Sequence, residues 1–170
     1  MNSTQPIIRF LTPEDFEEVL EINNSNVPAV GELTHEKLQY LVDHSLHSLV
    51  VQRGTTVGFC ITFAPNAPYD SPNYQWFCNR YKQFVYLDRI AFVPQAQGIG
   101  LGKLLYQHIE RLMHQTGLVQ PLCCEVNVEP PNPGSLRFHQ SIGFLEVGQL
   151  APTQDKRVCL LAKEIPVVSL

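Results

Sequence analysis

The chain has 170 residues, 44% of them hydrophobic and 16% charged, and a formal net charge of −4 at pH 7. This length fits one domain, and a chain of this size buries about 70% of its unfolded surface, enough for a true core. The low charged fraction argues against a disordered chain. The mildly acidic balance argues against nucleic acid or an anionic membrane surface as partner.

Ile7 to Phe10 predicts a short first strand. Thr12-Pro13-Glu14-Asp15 supplies an N-cap, a first-turn proline and early acids. Phe16, Val19, Leu20 and Ile22 form the apolar face of the helix behind them. Asn23 to Leu33 predicts a polar loop broken by Pro28 and Gly31. Thr34 caps a second helix that runs to about Asp43. Ser48 to Gln52 and Thr56 to Phe63 predict strands joined by an Arg53-Gly54 turn. The next stretch, Ala64 to Lys82, is broken by Pro65, Pro68 and Pro72 and carries Tyr69, Asp70, Tyr74, Trp76, Phe77 and Tyr81. A short helix is expected around Asn73 to Tyr81. The stretch reads either as a cover over an acceptor site or as an insertion whose aromatics pack on the core.

Phe84 to Val93 predicts a strand, Gly102 to Gln115 a long helix and Leu122 to Val128 another strand. Asn132 is a good N-cap with Pro133 at the first helical position. Leu136, Phe138 and Ile142 can supply a buried face, and Gly143 can end the helix in a left-handed conformation. Strands Phe144 to Leu150 and Lys156 to Lys163 complete a βααβββαβαββ order. One domain over residues 1–165 is expected, with a tail, 166–170, that frays.

No apolar run reaches the ~20 residues of a membrane span, and Met1-Asn2-Ser3-Thr4-Gln5 lacks the charged and apolar regions of a signal peptide. Cys60, Cys78, Cys123, Cys124 and Cys159 are odd in number and lack C-x-x-C spacing, which suits reduced thiols in the cytoplasm. His44 and His47 have no second ligand pair near them in sequence, so no metal site is expected.

The stretch with most chemical content is Val93-Pro94-Gln95-Ala96-Gln97-Gly98-Ile99-Gly100-Leu101-Gly102-Lys103. It turns from a strand into a helix. Glycines let a ligand approach the backbone, and the helix N-terminus offers unpaired N–H groups and a partial positive charge, a cradle for phosphate. The P-loop spacing fails: position 97 is Gln, and Leu104 stands where a Mg²⁺-binding hydroxyl is required. The dinucleotide pattern fails too, because the glycines are spaced Gly98-x-Gly100-x-Gly102 and lie past mid-chain.

The order Gln95-Ala96-Gln97-Gly98-Ile99-Gly100 after a strand resembles the pyrophosphate loop of the GNAT acyl-CoA-dependent N-acetyltransferases. Asn132, Ser135, Phe138, Gly143 and Phe144 resemble that family's downstream signature. The resemblance implies an α/β fold with a central twisted mixed sheet of about seven strands flanked by helices, and acetyl-CoA as cofactor. It implies main-chain contacts to the pantetheine arm from Ile90, Phe92 and Val93, where two parallel strands splay apart. Gln97, Gly98, Gly100, Gly102 and Lys103 would surround the pyrophosphate. Asn132 and Phe138 would meet the distal arm and the adenosine side.

Transfer requires a neutral amine, so a protonated substrate must lose a proton. Asp88, on the cofactor strand, is one candidate base; the alternative is that it binds substrate or pairs with Arg89. Glu125, on the neighbouring strand and on the same side as Asn127, is the competing base. His139 stands where many relatives place a tyrosine that protonates the departing thiolate. Histidine can donate a proton near neutral pH; the alternative is a surface histidine, with Tyr86 as a substitute donor. The function implied is acetyl transfer to a primary amine, with a small molecule as the expected acceptor and a peptide N-terminus or lysine side chain as the other. The competing reading is a CoA-binding regulatory module without efficient transfer. A homodimer follows from family habit alone.

Overall fold

The computed structural model describes residues 5–117 and 121–166. The opening Met1 to Thr4 and the tail from Val167 onward, on which the leader and fraying expectations fall, lie outside them. The chain divides into two compact units, Met1–Phe63 with Arg89–Arg111 and Ala64–Asp88 with Leu112–Leu170.

In the first unit, strand β1 (Ile7–Phe10) lies antiparallel to β2 (His47–Arg53), which lies antiparallel to β3 (Thr55–Phe63). The β2–β3 turn passes through Gly54 at φ +83°, a conformation that favours glycine. A 3-10 turn, Pro13–Asp15, leads into helix α1 (Phe16–Ser25). Asp15 closes that turn. Its carboxylate accepts the Thr12 N–H at 2.8 Å and both terminal guanidinium nitrogens of Arg9 at 2.8 and 2.7 Å. These bonds hold the Asp15 carboxyl below the usual range, the Arg9 bond contributing most. Helix α2 (His35–His44) is capped by the Thr34 hydroxyl, which accepts the Lys37 N–H at 3.2 Å.

The polar loop expected from Asn23 begins later, because α1 continues to Ser25. Asn23 is a fully buried anchor rather than a loop residue. Its Nδ2 donates to the Gly31 carbonyl at 2.9 Å, and its Oδ1 accepts from Arg89 at 3.0 Å. Buried amides of this kind satisfy backbone groups that a loop would otherwise leave orphaned.

Gly58 on β3 is a packing requirement. A Cβ there would sit 2.2 Å from Phe92 Cδ1. Gly58→Ala is therefore expected to displace the Phe92 ring and cost about 1–3 kcal/mol, the usual range for overpacking. A thermal melt checks this; an unchanged midpoint would show that the ring yields freely.

The second unit contains helix α3 (Pro72–Arg80), absent from the order predicted as βααβββαβαββ but close to the short helix expected in that stretch. Ser71 caps α3 and Pro72 occupies its first turn. Its aromatics do pack: Tyr74 and Phe77 are fully buried, with ring centroids 5.3 and 5.8 Å from Tyr86. The unit continues with strand β5 (Leu122–Glu129), helix α5 (Pro133–Ser141), and strands β6 (Leu145–Thr153) and β7 (Lys156–Lys163). Strand β7 pairs antiparallel with both β5 and β6. Trp76 covers Gly148 on β6, where an added Cβ would lie 2.6 Å from its ring.

Strand β4 (Val85–Phe92) contributes residues to both units, and helix α4 (Leu101–Gln115) follows it. Among the described residues the strands form one mixed seven-stranded sheet in the order β1-β2-β3-β4-β5-β7-β6, with five helices flanking it. The described register between the parallel strands β4 and β5 comprises Val85↔Leu122 and Tyr86↔Cys123.

Candidate active site

Two groups of residues carry chemistry, one in each unit. In the first unit, β4 ends at Phe92. A 3-10 turn, Pro94–Ala96, carries the chain to Gln97, Gly98, Ile99 and Gly100. Gly98 and Gly100 have φ of +73° and +88°, and an added Cβ at either would meet nothing within 4 Å. Glycine is needed here for backbone conformation, and the space beside the loop is open. The Gly100 carbonyl accepts the Leu104 N–H at 3.1 Å, the first intrahelical bond of α4. The N–H groups of Leu101, Gly102 and Lys103 come before that bond. They stand at the positive end of a 15-residue helix dipole.

Gln97 has a structural task. Its Nε2 donates to the Phe92 carbonyl at 3.1 Å and to Asn26 Oδ1 at 3.4 Å, while Asn26 Nδ2 donates to the same carbonyl at 3.1 Å. The Val93 N–H donates to the Val57 carbonyl at 2.9 Å. The Phe92 carbonyl and Val93 N–H, expected to face a cofactor, are thus engaged in holding the loop. Ile90 is half-buried on β4, and Lys103 is exposed on the first turn of α4.

The second unit holds the titratable cluster. Glu125 on β5 is half-buried, and Tyr86 donates its hydroxyl to Glu125 Oε2 at 2.7 Å. Asn73 on α3 also hydrogen-bonds this carboxylate. Burial pushes the Glu125 carboxyl up to about 7, and the nearby Asp88 charge adds to the rise; the bonds from Tyr86 and Asn73 and the charge of Lys156 pull the other way. A carboxyl with that pKa exchanges its proton at neutral pH. The Tyr86 hydroxyl is pushed well above its ordinary range, first by burial and then by the Glu125 and Asp88 charges, so it remains a donor. Asp88 accepts the Tyr69 hydroxyl at 2.5 Å. Arg89 donates to Asn23 at 3.0 Å and to the Gly31 carbonyl at 3.1 Å.

Asn132 caps α5 as its sequence implies, its side chain accepting the Ser135 N–H at 3.3 Å. Phe138 is half-buried. His139 is buried, so the alternative of a surface histidine does not hold. Its Nδ1 donates to the Ser135 carbonyl at 2.7 Å, and its ring packs edge-on against Phe138 and Phe144, each at 5.3 Å. Burial holds its pKa below the ordinary histidine value, so the ring is neutral at pH 7.

Sequence reasoning singled out the loop and both carboxylates as candidates. It did not single out Asn73, or the Tyr69–Asp88 and Tyr86–Glu125 pairs. The available signal was the aromatic-rich stretch after β3, which brings Tyr69 and Asn73 to the acids. Cys60, Cys123, Cys124 and Cys159 are buried and outside any disulfide among the described residues; burial pushes Cys60 and Cys159 up to about 12. Among the described residues no three His, Cys, Asp or Glu side chains are grouped to hold a metal, and no helix is long and apolar enough to cross a membrane.

The sequence model of the acetyltransferase (GNAT) family matches residues 11–144, and the chain belongs to that family. No curated protein matches it by sequence. Among solved structures it is similar to the ribosomal-protein-S18-alanine N-acetyltransferase from Escherichia coli, at 20% identity and a TM-score of 0.71, with 97% of each chain covered. It is similar to Ard1 from Thermoplasma volcanium at 16% identity and a TM-score of 0.76, over 95% of this chain and 98% of the other. It is also similar to Arabidopsis thaliana NAA60 in complex with acetyl-CoA, at 16% identity and a TM-score of 0.74, over 95% of this chain and all of the other. At these identities the solved structures establish the fold. Family membership makes the chain an acyl-CoA-dependent N-acetyltransferase with acetyl-CoA as co-substrate.

The loop geometry fits that co-substrate. Two positive-φ glycines with open space beside them, followed by the first N–H groups of α4, suit a pyrophosphate. The co-substrate supplies the activated acetyl thioester.

Proposed function

We propose that the chain acetylates the primary amine of a small molecule, with Glu125 as general base. The observation that carries this reading is a half-buried Glu125 carboxyl held near pKa 7, hydrogen-bonded by Tyr86 and Asn73, with the Asp88 charge close by. Two carboxylates favour arrival of a cationic amine, and the one with the raised pKa accepts the proton that nitrogen must lose. Asp88, fixed by Tyr69, attracts and orients the amine. In the loop, Gly98, Gly100, Gly102 and Lys103 hold the pyrophosphate, and Gln97 keeps the loop in shape from behind. Asn132 and Phe138 serve the distal arm, and Ile90 offers main-chain atoms to the pantetheine. The whole acts as one catalytic domain over residues 1–165 in the cytoplasm, where the buried free thiols remain reduced.

His139 reads as a packing residue, because a neutral buried imidazole that donates Nδ1–H to a carbonyl is a poor acid at pH 7. His139→Ala is expected to lower stability by roughly 2–3 kcal/mol through loss of aromatic packing, with kcat per folded molecule within about threefold of wild type. A melt paired with active-site-normalised rates checks it. A kcat loss of tenfold or more at unchanged stability would restore the role of thiolate acid.

Thiol release from acetyl-CoA, measured against a panel of small primary amines and a peptide with a free N-terminus, tests the acceptor. Acetylation of small amines supports the proposal. Acetylation of the peptide alone overturns the small-molecule acceptor, and no release with any amine overturns transfer.

A further inference from the structure

Asn23 and Asn24 lie in the last turn of α1 and Asn26 follows it, although asparagine is a poor residue for a helix end to be built from. Each amide reaches out of the helix. Asn23 holds Gly31 and Arg89. Asn24 holds Leu33 twice, its Oδ1 accepting the Leu33 N–H and its Nδ2 donating to the Leu33 carbonyl, both at 2.9 Å. These bonds fix the chain that leaves α1. Asn26 turns instead to the end of the cofactor strand. Its Nδ2 carries two hydrogens. One goes to the Ile22 carbonyl at 2.8 Å, inside α1, and the other to the Phe92 carbonyl at 3.1 Å, across 66 positions. Its Oδ1 accepts Gln97 Nε2 at 3.4 Å, across 71 positions, and Gln97 Nε2 donates to the same Phe92 carbonyl.

The amides of Asn26 and Gln97 therefore close around one carbonyl oxygen, which has a lone pair for each. Gln97 is the residue before Gly98. Glycines at 98 and 100 adopt many backbone conformations at little cost, so the shape of the cradle has to be selected from outside it. Helix α1 is a firm base for that selection, because Phe16, Val19 and Ile22 are buried.

We propose that Asn26 is a positioning residue for acetyl-CoA: it ties the end of β4 and Gln97 to α1 and so holds the glycine loop in its pyrophosphate-binding shape before the cofactor arrives. The proposal rests on the reading of this loop as the pyrophosphate cradle. Asn26 touches no phosphate. It acts on affinity through the fraction of molecules whose loop is already competent, and a smaller fraction weakens binding in proportion. Bound acetyl-CoA holds the loop by itself, so turnover at saturation does not depend on the clamp.

Calorimetry with acetyl-CoA on Asn26→Ala, Gln97→Ala and the double variant tests this. Each single variant is expected to weaken binding about five- to tenfold, the scale of one or two lost hydrogen bonds. The double variant is expected to be no more than about twofold weaker than the worse single, because the two amides act as one clamp. Asn26→Asp keeps an oxygen for Gln97 but sets a carboxylate against the Ile22 and Phe92 carbonyls, and is expected to lose more than alanine. In every variant kcat at saturating acetyl-CoA and the KM for the amine are expected to stay within about twofold of wild type. A role confined to capping α1 would lower the melting temperature of Asn26→Ala and leave its acetyl-CoA affinity alone. Gln97→Ala leaves α1 untouched, so the clamp is read even where Asn26→Ala folds poorly. Affinity within twofold of wild type in both single variants, or losses that multiply in the double, overturns the clamp and leaves the cradle standing. Gly100→Asp in the same series keeps the two readings apart: undiminished binding there overturns the cradle and this inference with it.

Discussion

Glu125→Gln is expected to lower kcat by roughly 10²–10⁴-fold, the usual contribution of a positioned general base, with little change in the KM for acetyl-CoA. The substitution is nearly isosteric, and its Oε1 can still accept the Tyr86 hydroxyl, now at 2.7 Å from the carboxylate. The loss is therefore assigned to proton acceptance rather than to geometry. In the wild type, kcat/KM is expected to rise with pH through about 7, where the Glu125 carboxyl gives up its proton. In the variant that limb disappears and the remaining profile follows the acceptor amine. A pH–rate series on both proteins checks this; a limb that persists unchanged in the variant would transfer the role to another group, Asp88 first.

The same residue makes a stability prediction of opposite sign. The folded-state pKa of Glu125, about 7, lies above its ordinary 4.5. The folded state therefore binds the proton more tightly than the unfolded chain. The penalty is absent below about pH 4.5, grows as pH rises and is complete above about 7. Glu125→Gln should remove it, so the variant is expected to be more stable than wild type by on the order of 2–3 kcal/mol at pH 8, and to lose that advantage toward pH 4. An active site that costs stability is the common pattern where a group is held in an unfavourable state for its function. Denaturant titrations at the two pH values separate this from a uniform packing effect, which would not change with pH.

What could be read from the sequence was local. The cradle was legible because three features are adjacent in the chain: a strand, glycines at Gly98 and Gly100, and a long amphipathic helix. The Asn132-Pro133 start of α5 was legible for the same reason, a cap and a first-turn proline being nearest-neighbour chemistry. The acceptor site was less legible because its contacts are long-range. Tyr86 reaches Glu125 across 39 positions, and Tyr69 reaches Asp88 across 19. Nothing in the sequence marks Asn73 as the residue whose amide meets a glutamate on β5. The burial of His139 was not legible either. The helix phase of α5 puts residue 139, four past Ser135, in its buried stripe, whereas Leu136, Phe138 and Ile142 are only half-buried. Counting apolar residues therefore chose a neighbouring face. An imidazole can occupy a core position when its N–H finds a carbonyl, here that of Ser135, and periodicity alone does not foresee that bond.

Gly100→Asp is expected to weaken acetyl-CoA binding by about 100-fold or more while leaving the fold intact. Two effects combine at this position. The backbone φ of +88° strains any residue with a Cβ, at a cost of about 1–2 kcal/mol. The carboxylate, however, stands at the start of α4, where it can accept the N–H groups that precede the first helical bond, and that capping offsets much of the strain. The helix thus stays formed, but its donors are given to an internal anion and a negative charge faces the incoming pyrophosphate. Calorimetry with acetyl-CoA, with ATP and NAD as controls, reads the effect, and Gly100→Ala separates its causes. Alanine brings the strain without the charge and is expected to lose only a few fold. If alanine lost as much as aspartate, the loop would act through its backbone shape, with the α4 donors secondary. If aspartate lost nothing, the phosphates would lie elsewhere, and open space beside Gly98 and Gly100 would need another explanation.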